Sequence, residues 1–281
     1  MSEKIQKVLA RAGYGSRREI EQKIKDGLVS VNGKIAIIGD RVDESEGVDI
    51  KISGKPVTIR AKEDTICRVL LYHKPEGEIC SHSDPEGRKT VFDRLPQIQQ
   101  GKWLSVGRLD INTLGLLLFT NDGELANALM HPSFNVDREY SVRVFGEVTD
   151  AMIDNLKKGV VLEDGERYSF KSISQKIGTG MNNWYNVILN EGKNREVRKL
   201  WESQGVQVSR LIRIRYGVMR LPRDLPRGAW VELPLNQVNL IRESVGLSRE
   251  AFSLVEQSKK GSKRHLSLKT GKIRKAVRKK T

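Results

Sequence analysis

Apolar residues at Ile5, Val8, Leu9 and Ala12 fall at i, i+3, i+4 and i+7, which predicts one buried face of a short helix. Gly13 and Gly15 interrupt it. Ser16-Arg17-Arg18-Glu19 has the form of a capping box, in which the Ser16 side chain accepts from the Glu19 amide and Glu19 reaches back. A second helix follows, with Ile20 and Ile24 on its buried face and Gly27 placed to end it. Next, Leu28-Val29-Ser30-Val31 and Lys34-Ile35-Ala36-Ile37-Ile38 flank Asn32-Gly33. That order predicts a hairpin, because Asn and Gly both tolerate the positive φ of a type I′ turn.

The pattern then changes. Residues 61–64 read as a short charged linker between a unit over residues 1–60 and a longer domain over residues 65–246. Strands are predicted over Ile66–Tyr72, Glu139–Phe145, Trp184–Leu189, Gln207–Tyr216 and Ala229–Leu233. Helices are predicted over Glu124–Met130, Asp150–Lys158, Arg195–Ser203 and Asn236–Ser244. Strands and helices mix without a βαβ rhythm, so the expected class is α+β with a largely antiparallel mixed sheet. No fixed-period repeat points to a solenoid or propeller.

Charge adds a fourth segment. The chain carries 50 Lys and Arg against 35 Asp and Glu. From Gln257 to Thr281 there are 11 basic residues and no acid, leaving 39 basic against 35 acidic residues in the rest, a net +4. Residues 247–281 are therefore expected to form a disordered basic arm, too poor in apolar groups to offset its ordering entropy. Its expected partner is a polyanion, whose condensed counterions Lys and Arg would release. A purely solubilising tail is the alternative. Residues 257–281 have neither Trp nor Phe, which disfavours a membrane surface. No apolar run has membrane-spanning length, and the N-terminus lacks the apolar core of a signal peptide. Two cysteines do not make a disulfide framework. A cytoplasmic monomer is the expectation.

Candidate chemistry narrows next. There is no Gly-x-Gly-x-x-Gly after a strand, no Walker phosphate loop and no His-Glu-x-x-His. Cys67, His73, Cys80 and His82 match no common zinc spacing, and no Gly-x-Ser-x-Gly elbow supports serine hydrolysis. Neither metal nor cofactor is expected. His131, before Pro132, reads as a structural residue at a helix end. What stands out is Val106-Gly107-Arg108-Leu109-Asp110, followed by the Gly-containing apolar run Leu114-Gly115-Leu116-Leu117-Leu118-Phe119. It sets one carboxylate between an arginine and an apolar segment, which is an unusual place for a merely solvated acid.

This Gly-Arg-Leu-Asp segment resembles the catalytic loop of the RNA pseudouridine synthases, in the RsuA/RluB-type branch that modifies ribosomal RNA. Lys74-Pro75-Glu76-Gly77, Asp137-Arg138-Glu139-Tyr140-Ser141-Val142, Glu191-Gly192-Lys193-Asn194-Arg195-Glu196-Val197-Arg198-Lys199-Leu200 and Leu211-Ile212-Arg213-Ile214-Arg215-Tyr216-Gly217 resemble further family motifs, in the family's order. Leu9-Ala10-Arg11-Ala12-Gly13, Ser16-Arg17-Arg18-Glu19 and Val29-Ser30-Val31-Asn32-Gly33 resemble an S4 RNA-binding domain. The resemblance implies isomerisation of a uridine to pseudouridine in ribosomal RNA, with the large subunit favoured over the small.

The resemblance also implies roles. Asp110 would be the nucleophile, needing no cofactor. Arg198 would pair with it, with Arg195 as second choice. Tyr140 would stack on the extruded base, although from composition alone a packed strand tyrosine is the favoured reading. Arg11, Arg17, Arg18 and Lys23 would contact RNA from the S4-like unit, and Arg108, Arg195 and Lys199 from the catalytic one. Taken singly, each of these cations also reads as an ordinary wet surface residue. Two other classes stay in view. A pure rRNA-binding assembly factor would need only the basic charge and the S4-like unit. A glycosidase would need a facing pair of carboxylates such as Asp110 and Asp122, for which a basic tail serves no purpose.

Overall fold

The computed structural model describes residues 2–43, 47–59, 65–98, 101–176 and 181–255. The expected linker over residues 61–64 and tail residues 256–281 lie outside the described residues. The chain divides into two compact units. One comprises residues 1–67 together with 96–104 and 121–123, and the other comprises 68–95, 105–120 and 124–281. The first thus takes in two short segments beyond the expected 1–60.

In the first unit, strand β1 (Glu3–Lys4) leads into helices α1 (Ile5–Arg11) and α2 (Arg17–Lys25). The capping box forms: Glu19 N donates to Ser16 Oγ at 3.2 Å, and Ser16 N donates to Glu19 Oε2 at 2.7 Å. Strands β2 (Val29–Val31) and β3 (Lys34–Ile35) make the hairpin, with Asn32 at φ 49° and Gly33 at φ 81°, as a type I′ turn demands. β4 (Arg41–Val42) pairs with β1, while β5 (Ile50–Ile52) and β6 (Lys55–Pro56) complete a sheet of order β3-β2-β5-β6. Ile5, Val8, Leu9, Ile20, Ile24, Val29 and Ile50 pack into one core. The predicted second strand over 34–38 is shorter than expected. Asp40 Oδ2 accepts from Ile37 N, turning the chain away and leaving Ile37 and Ile38 exposed.

The second unit is built on strands β7 (Val69–Lys74), β9 (Leu114–Thr120), β10 (Arg138–Phe145), β13 (Ser172–Gln175), β14 (Asn182–Leu189), β15 (Gln207–Tyr216) and β17 (Trp230–Glu232). They form one sheet in the order β13-β14-β10-β15-β9-β7-β17. β15 and β9 run parallel and the other neighbours on this path run antiparallel. The fold is α+β, as the sequence predicts. Short strands β8 (Leu104–Val106), β11 (Val160–Val161), β12 (Arg167–Tyr168) and β16 (Met219–Arg220) flank it. Helices α3 (Gly123–Met130), α4 (Asp150–Lys158), α5 (Glu196–Glu202) and α6 (Leu235–Glu243) complete the unit. Every residue of β9 is buried, which is the signature of a strand covered on both faces. Its continuous apolar run lacks the alternation that marks strands, so periodicity alone does not assign it.

Strand β7 is shifted against its expected span because Lys74 stays in the ladder, opposite Gly115. Order also continues past α6 into the expected tail. Glu250 exchanges two hydrogen bonds with the Asn239 side chain, and Arg242 Nε donates to Ser248 O at 2.7 Å. Residues 248–250 are therefore held on α6, a correction to the expected boundary at 247. Among the described residues no helix is long and apolar enough to cross a membrane.

Candidate active site

The chain between β8 and β9 is fastened by its backbone. Lys74, fully buried, points its Nζ at four carbonyl oxygens: Pro75 at 3.0 Å, Asp110 at 3.1 Å, Ile111 at 3.4 Å and Thr113 at 3.0 Å. Burial lowers the Lys74 pKa, and nearby Cys80, Glu78 and Asp110 pull it back. Thr113 N closes a turn onto Asp110 O at 3.0 Å, and Gly77 N donates to Ile111 O at 2.9 Å. On the other side, Cys80 Sγ donates to Leu109 O at 3.3 Å and accepts from Leu109 N at 3.4 Å. Burial pushes the Cys80 thiol above its usual pKa, keeping it protonated for the donor role.

Asp110 is thereby presented with its backbone fixed and its side chain exposed. Among the described residues its carboxylate accepts no hydrogen bond and enters no salt bridge. This exposed carboxylate is open to a ligand.

Arg198 sits differently from the expectation. Among the described residues no salt bridge joins it to Asp110. It donates instead from Nη1 to Val208 O at 3.0 Å and from Nη2 to Asn112 O at 3.2 Å, so it holds the loop two residues beyond the acid. Its Nε is buried without a partner. Burial lowers its pKa, neighbouring Arg195 lowers it further, and Asp110 acts the other way. The two charges therefore feel each other through space, while the hydrogen bonds go to backbone.

Tyr140 is buried at 7% exposure in the middle of β10, opposite Val187 on one side and Arg213 on the other. Arg213 in turn lies opposite Gly115, and Gly115 opposite Lys74. One row of the sheet thus runs Tyr140, Arg213, Gly115, Lys74, ending on the lysine that holds the Asp110 loop. Gly115 is required there: its φ is +110°, and a Cβ would lie 2.2 Å from Arg213 O. Arg213 is 2% exposed and donates from Nε to Leu116 O at 2.8 Å. The Tyr140 hydroxyl makes no hydrogen bond among the described residues. Lys74, Cys80 and Arg213 are the members that sequence reasoning missed as individuals. The signal available was a lysine ending an apolar strand just before Pro75.

The remaining expected RNA contacts divide. Arg17 and Arg18 are exposed on the first turn of α2, and Arg108 and Lys199 are exposed in the second unit. Arg11 is ion-paired with Glu3, and Lys23 Nζ donates to Tyr14 O at 3.2 Å. Arg195, in the left-handed region at φ 53°, lies 3.6 Å from Glu202. His131 caps a 3-10 turn by accepting from Ser133 N, the structural role expected of it.

Residues 68–203 match the model of the RNA pseudouridylate synthase family, and residues 3–48 match the S4 domain. The chain is 60% identical to ribosomal large subunit pseudouridine synthase B of Haemophilus influenzae, over 98% of this chain and 76% of that protein. It is 59% identical to the protein of the same name from Shigella flexneri, over 99% of this chain and 94% of that protein. Among solved structures, a crystal structure of a pseudouridylate synthase shares the fold with a TM-score of 0.58 at 24% identity, covering 85% of this chain and 99% of that one. With the motifs, the pinned acidic loop and near-full-length relatives in agreement, the chain belongs to the RNA pseudouridylate synthase family.

Proposed function

We propose that this protein isomerises a uridine of large-subunit ribosomal RNA to pseudouridine, with Asp110 as nucleophile. The observation that carries the reading is the open, unpaired Asp110 carboxylate on a loop whose backbone is tied down by Lys74, Cys80 and Arg198. Such a loop needs little reorganisation when a base arrives. The large-subunit choice rests on the names of the near-full-length relatives.

In the reaction the bond from ribose to nitrogen 1 of uracil breaks and a bond from the same ribose carbon to carbon 5 forms. The hydrogen on carbon 5 leaves as a proton, and nitrogen 1 gains one. No oxidant, reductant or cofactor is needed. The target uridine must first leave its stack, at a cost of a few kcal/mol. Exposed Arg17, Arg18, Arg108 and Lys199 can offset that cost by binding phosphate. Tyr140 stacks on the extruded base, and Arg198 keeps the loop in register. The enzyme works as a cytoplasmic monomer in this reading.

The test is tritium release from carbon 5 of uracil in unmodified large- and small-subunit rRNA. Release from the large-subunit RNA alone, abolished in Asp110→Asn while RNA affinity stays within a few-fold, is the expected result. Release from the small-subunit RNA alone would overturn the substrate choice. Substantial release by Asp110→Asn would overturn the nucleophile.

A further inference from the structure

Strands β13, β14, β10 and β15 carry a row of cations on the sheet face opposite Tyr140. Trp184 lies across from Arg143, and Arg143 across from Arg210. The row continues to Lys176, just past β13, whose amide donates to Trp184 O at 2.7 Å. Lys176 is exposed and the other three are half-buried. The neighbouring positions on this face, Ser174, Asn186, Ser141 and Ile212, carry no charge. Glu139, one row further, is already held by Arg215 at 2.8 Å and Arg220 at 3.7 Å.

Like charges directly opposite on neighbouring strands are destabilising, yet Arg143 and Arg210 face each other with no carboxylate between them. Arg143 Nε donates to Ser209 Oγ at 2.9 Å, and its guanidinium lies 6.0 Å from the centre of the Trp184 ring. Arg210 and Lys176 have no side-chain hydrogen bond or ion pair among the described residues. Ser209 is the extra residue of a register shift between Arg143 and Val144, a bulge of the kind found beside functional surfaces. Four strands set the ends of the row about 14 Å apart, a length over which a nucleic-acid strand presents several phosphates. An interleaved aromatic and cationic row of this kind suits bases and phosphates together.

We propose that Lys176, Trp184, Arg143 and Arg210 form a second RNA-binding surface. It grips a strand of the substrate away from the isomerised uridine, with the cations on phosphates and Trp184 stacked on an unpaired base. The proposal rests on RNA being the substrate. The test uses the full chain and a large-subunit rRNA transcript, reading affinity against salt and the single-turnover rate of tritium release at saturation. In Arg143→Gln/Arg210→Gln, binding should weaken about tenfold and the salt slope should fall by about two, near one for each phosphate no longer neutralised. The saturated rate should stay within about twofold, because the row lies off the reacting base. Arg143→Lys/Arg210→Lys should keep the slope. Trp184→Ala should weaken binding by about fivefold or more with the slope unchanged. A folded Gln double variant with wild-type affinity and slope overturns the proposal, as does a slower rate at unchanged affinity. Should the double variant fail to fold, Arg210→Gln alone serves, with an expected slope change of about one. Absence of tritium release by the wild type would instead sink the pseudouridylation reading, while the salt slopes would still decide this surface.

Discussion

Lys74 has the largest structural consequence of any single side chain near Asp110. A buried ammonium has only three protons, and here four carbonyls share them. Removing it takes a donor from the Pro75 and Thr113 carbonyls, while Asp110 O and Ile111 O keep their backbone partners, so Lys74→Met should destabilise the second unit by about 2 kcal/mol, read by urea unfolding. The same change frees the Asp110 loop, so kcat should fall further than KM rises. A variant with lowered stability and unaltered kcat would show that the lysine serves the fold alone.

Glu3 gives a residue-scale pH effect. Burial raises its pKa, but hydrogen bonds from Lys7 and Arg11 outweigh that and hold it down at about 2. Its folded value lies below the unfolded value of about 4.3, so its contribution is complete above that pH and disappears as pH falls toward the folded value. Glu3→Gln should therefore lower Tm at neutral pH, and the difference from wild type should vanish near pH 2 in calorimetry. An equal difference at both pH values would exclude the ion pair as its source.

Among elements, the start of α2 is the most completely written in the sequence. Ser16 and Glu19 make both reciprocal bonds, and Ser16→Ala should cost about 1 kcal/mol, measured as a shift in the thermal transition. Gln207–Tyr216 and Asp150–Lys158 form over the residues expected from their patterns. β9 is not legible because burial on both faces erases alternation. The strand expected over 34–38 is cut short for the opposite reason: Ile37 and Ile38 are apolar, yet the Asp40 turn takes them out of the sheet. Local chemistry fixes caps and turns, whereas strand pairing depends on residues far away in the chain.

On the scale of the whole molecule, charge is a sequence property with a direct test. Deleting residues 257–281 removes 11 Lys and Arg and no acid. If that segment neutralises phosphates, the dependence of log affinity on log salt should flatten by several units, since each neutralised phosphate contributes about 0.9. An unchanged slope would leave the segment as a solubilising tail.

The sequence alone determined the helix–helix–hairpin start, the basic excess, the α+β class and the singular position of Asp110. Each depends on short-range spacing or on composition, which need no knowledge of distant neighbours. The tertiary structure decided which groups surround that acid. Lys74 and Cys80, from one segment before the loop, and Arg198, from far beyond it in the chain, meet at the 109–113 backbone. It also placed Arg198, expected as a partner of the carboxylate, as a clamp on Asn112, with Nη1 and Nη2 donating to the Val208 and Asn112 carbonyls. The Lys176, Trp184, Arg143 and Arg210 row likewise emerges only when four strands are laid in register, since no linear spacing brings those residues together.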